Sequence, residues 1–305
     1  MREAIRAACH RILPPGVRRT RRVILKLHRV IGRTATHMRN QVIRRGMGGP
    51  DTLLVHPWRP HIEDDYTVTL IACRLGLRLT TDPGRKVGAA MHWHDTTLRP
   101  RNSVLEGLAE SLPVINLHGN DISKTRVDEA MREVFGYGLA VDPRTTFGPL
   151  VEKSDRNALH DGRIVDGPLF ATTTGRVYQR FIQGRLVGGL VEEIRVPVVG
   201  EQVPFVHLKY KQPRNPLALS VRGVIAKPSA VLEKDEIELL VRFARAMRID
   251  FGEFDVMRHH ADGRVYVFDA NNTPCVRFFG VSKVDRRATV ELLAEAFDVA
   301  FLCRR

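Results

Sequence analysis

Asp255, Asp269 and Asn271 fall within one short segment, FDVMRHHADGRVYVFDANNTP (254–274). Its second arm, RVYVFDAN, alternates and is rich in β-branched and aromatic residues, which predicts a strand. Period two sets Val265, Val267, Asp269 and Asn271 on one face, with Tyr266, Phe268 and Ala270 on the other. The first arm, EFDVM, ends at HHADG, which is turn chemistry. A two-residue Asp262-Gly263 loop would set Asp255 opposite Ala270; a three-residue Ala261–Gly263 loop would set it opposite Asp269. In the second register two carboxylates face each other and repel unless something positive sits between them. Two carboxylate oxygens and an amide oxygen suit a hard cation such as Mg²⁺.

The rest of the chain must supply the elements that position such a site. GMGGP (46–50) is a natural boundary. TLLVHPW (52–58) reads as a short buried strand, IEDDYTVTLIACRLGL (62–77) as a helix ending near Gly76, RLTTD (78–82) as a second strand and PVIN (113–116) as a last one. This rhythm predicts a small parallel-sheet domain running to about residue 117. ISKTRVDEAMREVFG (122–136) carries a helical stripe, Val127, Met131, Val134 and Phe135, and stops at Gly136. PLVEK (149–153) is a strand, and the polar SDRNALHDGRIVDGP (154–168) reads as a mobile loop. RVYQRFI, EIRVPVVG and VPFVHLKYK are successive strands. Residues 235–247 form an amphipathic helix, and a final helix runs through Leu293, Phe297, Ala300 and Phe301.

The 305 residues allow about two domains with a sizeable core. No apolar run approaches the roughly 20 residues that span a bilayer, and the N-terminus lacks the apolar stretch of a secretory signal, so a cytoplasmic location is expected. Four cysteines lie far apart, which argues against a thiolate metal site. The net charge of +14 is local: residues 1–48 hold 13 Lys and Arg against Glu3 alone, or +12, whereas the remainder amounts to +2. VRRTRRVILKLHRVIGR (17–33) draws as a helix with an apolar stripe at Val23, Leu27, Val30 and Ile31. Such an arm suits a membrane surface, where the protein would sit peripherally, or an acidic partner. Equally, it is a solvated helix that docks the stripe on the body.

From about Val114 to Pro274 the chain resembles the ATP-grasp superfamily, which includes D-alanine–D-alanine ligase, glutathione synthetase and peptide-forming carboxylate–amine ligases. The most specific part is FDVM…DGRVYVFDANNTP: an acid on one strand, an acid-x-Asn on the next, then a proline. The resemblance implies that Asp255, Asp269 and Asn271 hold Mg²⁺, with Mn²⁺ as a substitute, bridging the phosphates of ATP. Lys124 in NDISK and Lys153 in VEKS match lysines that contact those phosphates. Gln179, Arg180, Phe181 and Ile182 match the segment that holds adenine, and Glu193 an acid near the ribose. Arg195 and Lys209 would face phosphate or substrate, and Lys211 shares a strand face with Lys209. Two residues before Asp255, where D-alanine ligases carry an arginine, stands Glu253.

The implied fold class is α/β and α+β: a basic N-terminal helical arm (1–48), a small Rossmann-like domain (49–117), and an ATP-grasp unit with a lid (118–182) and a metal-bearing subdomain (183–305). The implied activity is ADP-forming ligation of a small-molecule carboxylate to an amine through an acyl-phosphate. A kinase acting on a hydroxyl or carbohydrate is the alternative. A nucleotide- or RNA-binding regulator using the basic arm is a third reading, although nucleic acid is not the expected partner. Homo-oligomerisation is left open. His56, Arg59 and His94 are weaker candidates for the substrate side, and Cys275 is read as packing.

Overall fold

The computed structural model describes residues 15–46, 48, 50–61, 65–159, 161–214, 220–275 and 280–303, with side chains described from residue 30 onward. Residues 1–14 of the arm, and the Val23 and Leu27 side chains of its stripe, therefore lie outside the description, as do residues 62–64.

The first sheet is built from β1 (Thr52–Pro57), β2 (Arg78–Thr80), β3 (Ala89–Trp93) and β4 (Val114–Ile115). All pairings are parallel, in the order β2-β1-β3-β4. Central β3 is buried throughout, with neighbours on both sides, so its AAMHW lacks the alternation that marks a half-exposed strand. No periodicity in the sequence therefore announces it. The helix expected from Ile62 begins at Thr67 and, as α2 (Thr67–Leu75), follows a long α1 (Pro15–Gly46). Gly76 closes α2 at φ 70°, where a Cβ would sit 2.3 Å from the Asn40 backbone; only glycine lets α1 approach so closely. Asn40 then donates to the Cys73 and Arg74 carbonyls at the end of α2. A short α3 (Ser103–Leu108) is capped by Asn102.

Next comes α4 (Lys124–Phe135), capped by the Ser123 side chain and ended by Gly136 in the left-handed region. It leads to an antiparallel sheet of β5 (Gly148–Ser154), β6 (Arg163–Gly167) and β7 (Arg176–Arg180), ordered β6-β5-β7. The segment read as a mobile loop thus contains a strand: RIVDG pairs with β5 from Glu152↔Arg163 to Gly148↔Gly167. Its polar composition concealed it because β6 is an edge whose side chains are largely exposed.

The third sheet holds β8 (Leu186–Val187), β9 (Leu190–Val199), β10 (Val206–Lys211), β11 (Arg222–Ala226), β12 (Phe251–Arg258) and β13 (Val265–Asn271), ordered β11-β10-β9-β12-β13, with β8 folded against β9. α5 (Lys234–Ala246) carries a Glu233/Glu236 capping box. α6 (Lys283–Phe301) is the last described helix. One face of this sheet is apolar: Ile194, Val196, Val206, Leu208, Phe254 and Val256 form one core with Val127 and Met131 of α4 and Leu240 and Phe243 of α5. The Phe243 and Phe254 rings meet edge-on at 5.0 Å. Each fully buried ring contributes about 1.5–3 kcal/mol. Among the described residues no helix is long and apolar enough to cross a membrane.

Candidate nucleotide and metal site

The opposite face of the third sheet carries the charge. Residues paired across strands point to the same side, so the registers Glu193↔Lys209, Arg195↔His207, Asp255↔Arg195, Asp255↔Asp269 and Glu253↔Asn271 gather nine polar side chains on it, Lys211 included. The same pairings put Ile194, Val196, Phe254 and Val256 beneath, in the core.

Asp255 does stand opposite Asp269, but the hairpin reaches that register by another route than a three-residue loop. Beyond the turn Arg258 pairs with Val265 and Val256 with Val267; then the register shifts by one before Asp255 meets Asp269. Phe268 is the extra residue of a β-bulge. The strict alternation expected for β13 therefore breaks: Val265 and Val267 share the core side with Val256, whereas Asp269 and Asn271 share the charged side with Asp255. The bulge also releases the Phe268 carbonyl, which accepts from Lys153 Nζ at 3.0 Å. The same ammonium lies 5.7 Å from the Phe268 ring centre.

Each carboxylate of the site is met by a cation. Arg195 grips Asp255 with two bonds, Nε to Oδ1 at 2.9 Å and Nη2 to Oδ2 at 3.0 Å, and Lys209 adds a third at 3.0 Å. Burial disfavours the Asp255 charge, but Arg195 and Lys209 outweigh it and hold the carboxyl well below the usual carboxylate range. Burial likewise opposes charge on Arg195 and Lys209; Asp255 outweighs it at both, with Glu253 helping at Arg195 and Glu193 at Lys209, so both stay protonated. Lys124, at the first turn of α4, donates to Asp269 at 2.8 Å. Lys153, near the end of β5, has its pKa pushed down to about 8, chiefly by burial, with Asp269 opposing that and Lys124 adding to it. Lys124, Lys153, Arg195 and Lys209 thus converge from one helix and three strands of two sheets on the Asp255–Asp269 pair.

Glu193 lies beneath Lys209 and Lys211, paired with both and almost wholly buried, so it anchors two ammonium groups. On β7, Val141 N donates to the Tyr178 carbonyl and Arg180 N to that of Leu139. The outer edge of Tyr178–Arg180 is therefore occupied by the 139–141 segment, which Asp128 fastens by accepting from the Leu139 and Ala140 amides. Gln179 is buried and the Arg180 side chain exposed; Phe181 and Ile182, past the strand end and half-buried, are the part of the expected adenine segment that stands clear of this ladder. The turn after β5 rests on the site: Asn157 donates to the Ala270 carbonyl at 2.8 Å, and Asp155 accepts from Thr125 N of α4.

By type the donors are those a hard divalent ion takes. No group of three or more His, Cys, Asp or Glu among the described residues is arranged to hold one, however, and Asn271 Oδ1 accepts from Thr273 N at 2.9 Å. Two carboxylates in direct cross-strand register and the Asn271 amide oxygen lie on one side of the sheet, all oxygen and no sulfur or imidazole. A further carboxylate, Glu253, is almost fully buried, faces Arg195 at 3.6 Å and has an Oε2 without a hydrogen bond. Burial pushes its pKa up. In the sequence Glu253 registers only as a residue standing where arginine was expected; its cross-strand pairing with Asn271 is what brings it to the site.

Further residues that no motif announces join the parallel sheet to this hairpin. Arg99, buried, donates to the His92 and His94 carbonyls and to Asn272 Oδ1, while Asn272 donates to the Gly119 carbonyl. Asn116, at φ 57°, accepts from the Asp250 and Phe251 amides and donates to the Phe251 and Asn272 carbonyls. Thr273 donates to Asp95, which also accepts from the Tyr66 hydroxyl. The strand-end Asn in PVIN and the second Asn of ANNTP were the available signals. Of the weaker substrate-side candidates, His56 Nδ1 meets Asn102 at 2.7 Å and Arg59 donates to the Leu79 carbonyl, both near the C-terminal ends of the parallel strands, as is His94. Cys275 bridges to Tyr66 through the backbone.

No family model matches the sequence, and no curated protein does. Solved structures do resemble the fold. One is the ATP-grasp ligase PsnB with a phosphomimetic variant of its minimal precursor, Mg and ADP: TM-score 0.54 and 15% identity over 82% of this chain and 98% of that one. A second, PsnB with the minimal precursor, Mg and ADP, gives 0.52 and 14% over 81% and 98%. A third, PsnB with precursor peptide PsnA2 and AMPPNP, gives 0.50 and 13% over 80% and 96%. At such identities the likeness is one of fold.

Proposed function

We propose that this chain, whose fold is that of the ATP-grasp ligases, is an ATP-dependent ligase that joins a carboxylate to an amine. The observation that carries the reading is the Asp255–Asp269 register, with Lys124, Lys153, Arg195 and Lys209 converging on it. A triphosphate needs neutralising charge from several directions, and phosphoryl transfer is mainly positioning and electrostatics. In this reading Asp255, Asp269 and Asn271, with Glu253 beside them, hold Mg²⁺, which would neutralise the β- and γ-phosphate oxygens. Lys153 on the β5–β6 hairpin and Lys124 on α4 would supply charge to the phosphates, and the hairpin would serve as a lid that excludes water. Phe181 and Ile182 take the adenine.

In the reaction, a substrate carboxylate oxygen attacks the γ-phosphorus and the β–γ bridging oxygen leaves with ADP. The amine then attacks the acyl carbon, phosphate departs, and the amine proton is lost to solvent or base. Arg195 and Lys209, kept charged by Asp255, face the developing negative charge. PsnB structures hold a precursor peptide, so acidic side chains of peptides belong beside small acids as candidate substrates.

Hydroxylamine trapping tests the reading: with ATP, Mg²⁺ and a panel of acids, a ligase yields a hydroxamate and ADP. The proposal fails if no carboxylate in the panel stimulates ADP release while hydroxyl acceptors do, which is the kinase outcome.

A further inference from the structure

Helix α1 is mounted inside out. The side that meets the body is polar: Arg33 pairs with Asp65 at 2.8 Å, Asn40 caps α2, and Arg44 pairs with Asp298 at 2.8 Å and donates to the Pro50 carbonyl. The docking of the stripe at Val30 and Ile31 is thus only half realised, since Val30 is half-buried but Ile31 turns outward. Ile31, Met38 and Val42 are 58%, 62% and 72% exposed, with Ala35 exposed between them. Spacing of i, i+4, i+7 and i+11 lays these four along one line of the helix. The seven-residue step of Ile31 and Met38 continues backward in the sequence to Ile24 and Val17, within the same helix.

Over Pro15–Gly46 there are ten Lys and Arg and no acidic residue. That charge discriminates between occupants of the apolar line. A second copy would set one such helix against another with no carboxylate to pair, so like charges would oppose the contact. A nucleic acid would use the guanidinium groups and leave the aliphatic side chains in water. An anionic bilayer surface uses both: aliphatic side chains sink into the headgroup–acyl boundary while flanking cations, Arg39 among them, meet lipid phosphates.

We propose that the outer face of α1, Ile31–Ala35–Met38–Val42 with its flanking arginines, is a docking surface for an anionic lipid bilayer, on which the helix lies in the plane of the interface.

The test is flotation of the full chain with vesicles of phosphatidylcholine alone or mixed with phosphatidylglycerol. The protein is expected to float with the mixed vesicles, not with phosphatidylcholine alone, and to be released by high salt. A triple variant, Ile31→Ser, Met38→Ser and Val42→Ser, should bind at least about tenfold more weakly, with melting temperature and ATP turnover unchanged because these side chains touch neither core nor site. Arg39→Glu should weaken binding as well. The proposal is overturned if the wild type stays unbound, or if the triple variant floats like it. It is also overturned if the wild type sediments as a dimer that the triple variant dissolves while neither binds vesicles.

Discussion

Asp255 and Asp269 stand directly opposite each other on neighbouring antiparallel strands, yet they are neutralised from different flanks. Arg195 and Lys209 approach Asp255 from within the same sheet, and Lys124 approaches Asp269 from the N-terminus of α4. The Asp255 side chain is 16% exposed, the Asp269 side chain 36%.

This asymmetry separates stability from ligand binding. Asp255→Asn leaves half-buried Arg195 and buried Lys209 without their shared counter-ion and should cost about 3 kcal/mol in denaturant unfolding. Asp269→Asn should cost less, about 1–3 kcal/mol, because the Asp269 carboxylate is 36% exposed although its partner Lys124 is buried. Both variants should lose the rise in melting temperature that Mg-ATP gives the wild type. Equal destabilisation by the two changes would count against the geometry.

Lys153, with its pKa pushed down to about 8, should make nucleotide binding sensitive to alkali. Below that pH the ammonium is charged and attracts phosphate; above it the charge is lost. KM for Mg-ATP should therefore climb as pH passes from 7 to 9, and Lys153→Arg, which does not titrate there, should flatten the climb. A parallel climb in the arginine variant would remove Lys153 from the binding step.

Acid should destabilise the fold in two stages. Burial is the main cause that brings His92 and His207 down to about 4, with Arg99 adding to it at the first and Arg195 at the second. Unfolded imidazoles take up protons below about 6.5 that the folded ones refuse, so stability falls as pH drops from 6.5 toward 4, by about 2 kcal/mol per histidine at pH 5. Asp255, depressed in the fold, adds its loss only when pH falls below its unfolded value near 3.9. A melting temperature level between pH 7 and pH 5 would contradict the first stage.

Arg99 and Asn272 should behave as positioning residues. Asn272→Ala removes one partner of a buried guanidinium and should cost about 1–3 kcal/mol. Because Asn272 adjoins Asn271, the variant should also raise the Mg²⁺ concentration needed for half-maximal nucleotide binding. Arg99→Lys replaces a planar fork by one compact ammonium that cannot match its three directions, and should show the same shift. A loss of stability with unchanged Mg²⁺ dependence would make the pair structural only.

What the sequence determined by itself is local. β-Branched and aromatic residues mark β13 as a strand, and 3.6-residue stripes with Ser123 and Gly136 at the ends mark α4. HHADG announces a turn. Each signal acts between residues a few positions apart, where backbone geometry and solvent contact suffice to decide. It was also enough to gather Asp255, Asp269 and Asn271 as a trio, because hairpin partners are close in the chain. Tertiary structure decided whatever depends on distant partners. The bulge at Phe268 settled the register. The pairing of β9 with β12 placed Arg195 on Asp255, 60 residues away, and put Glu253 beside the site. α1 turned its polar side inward because Asp65, Asp298 and the end of α2 offered charge and carbonyls there, against the order its own amphipathic pattern suggested. Burial and electrostatic pairing are properties of neighbours in space, and for those residues the neighbours exist only once the chain has closed.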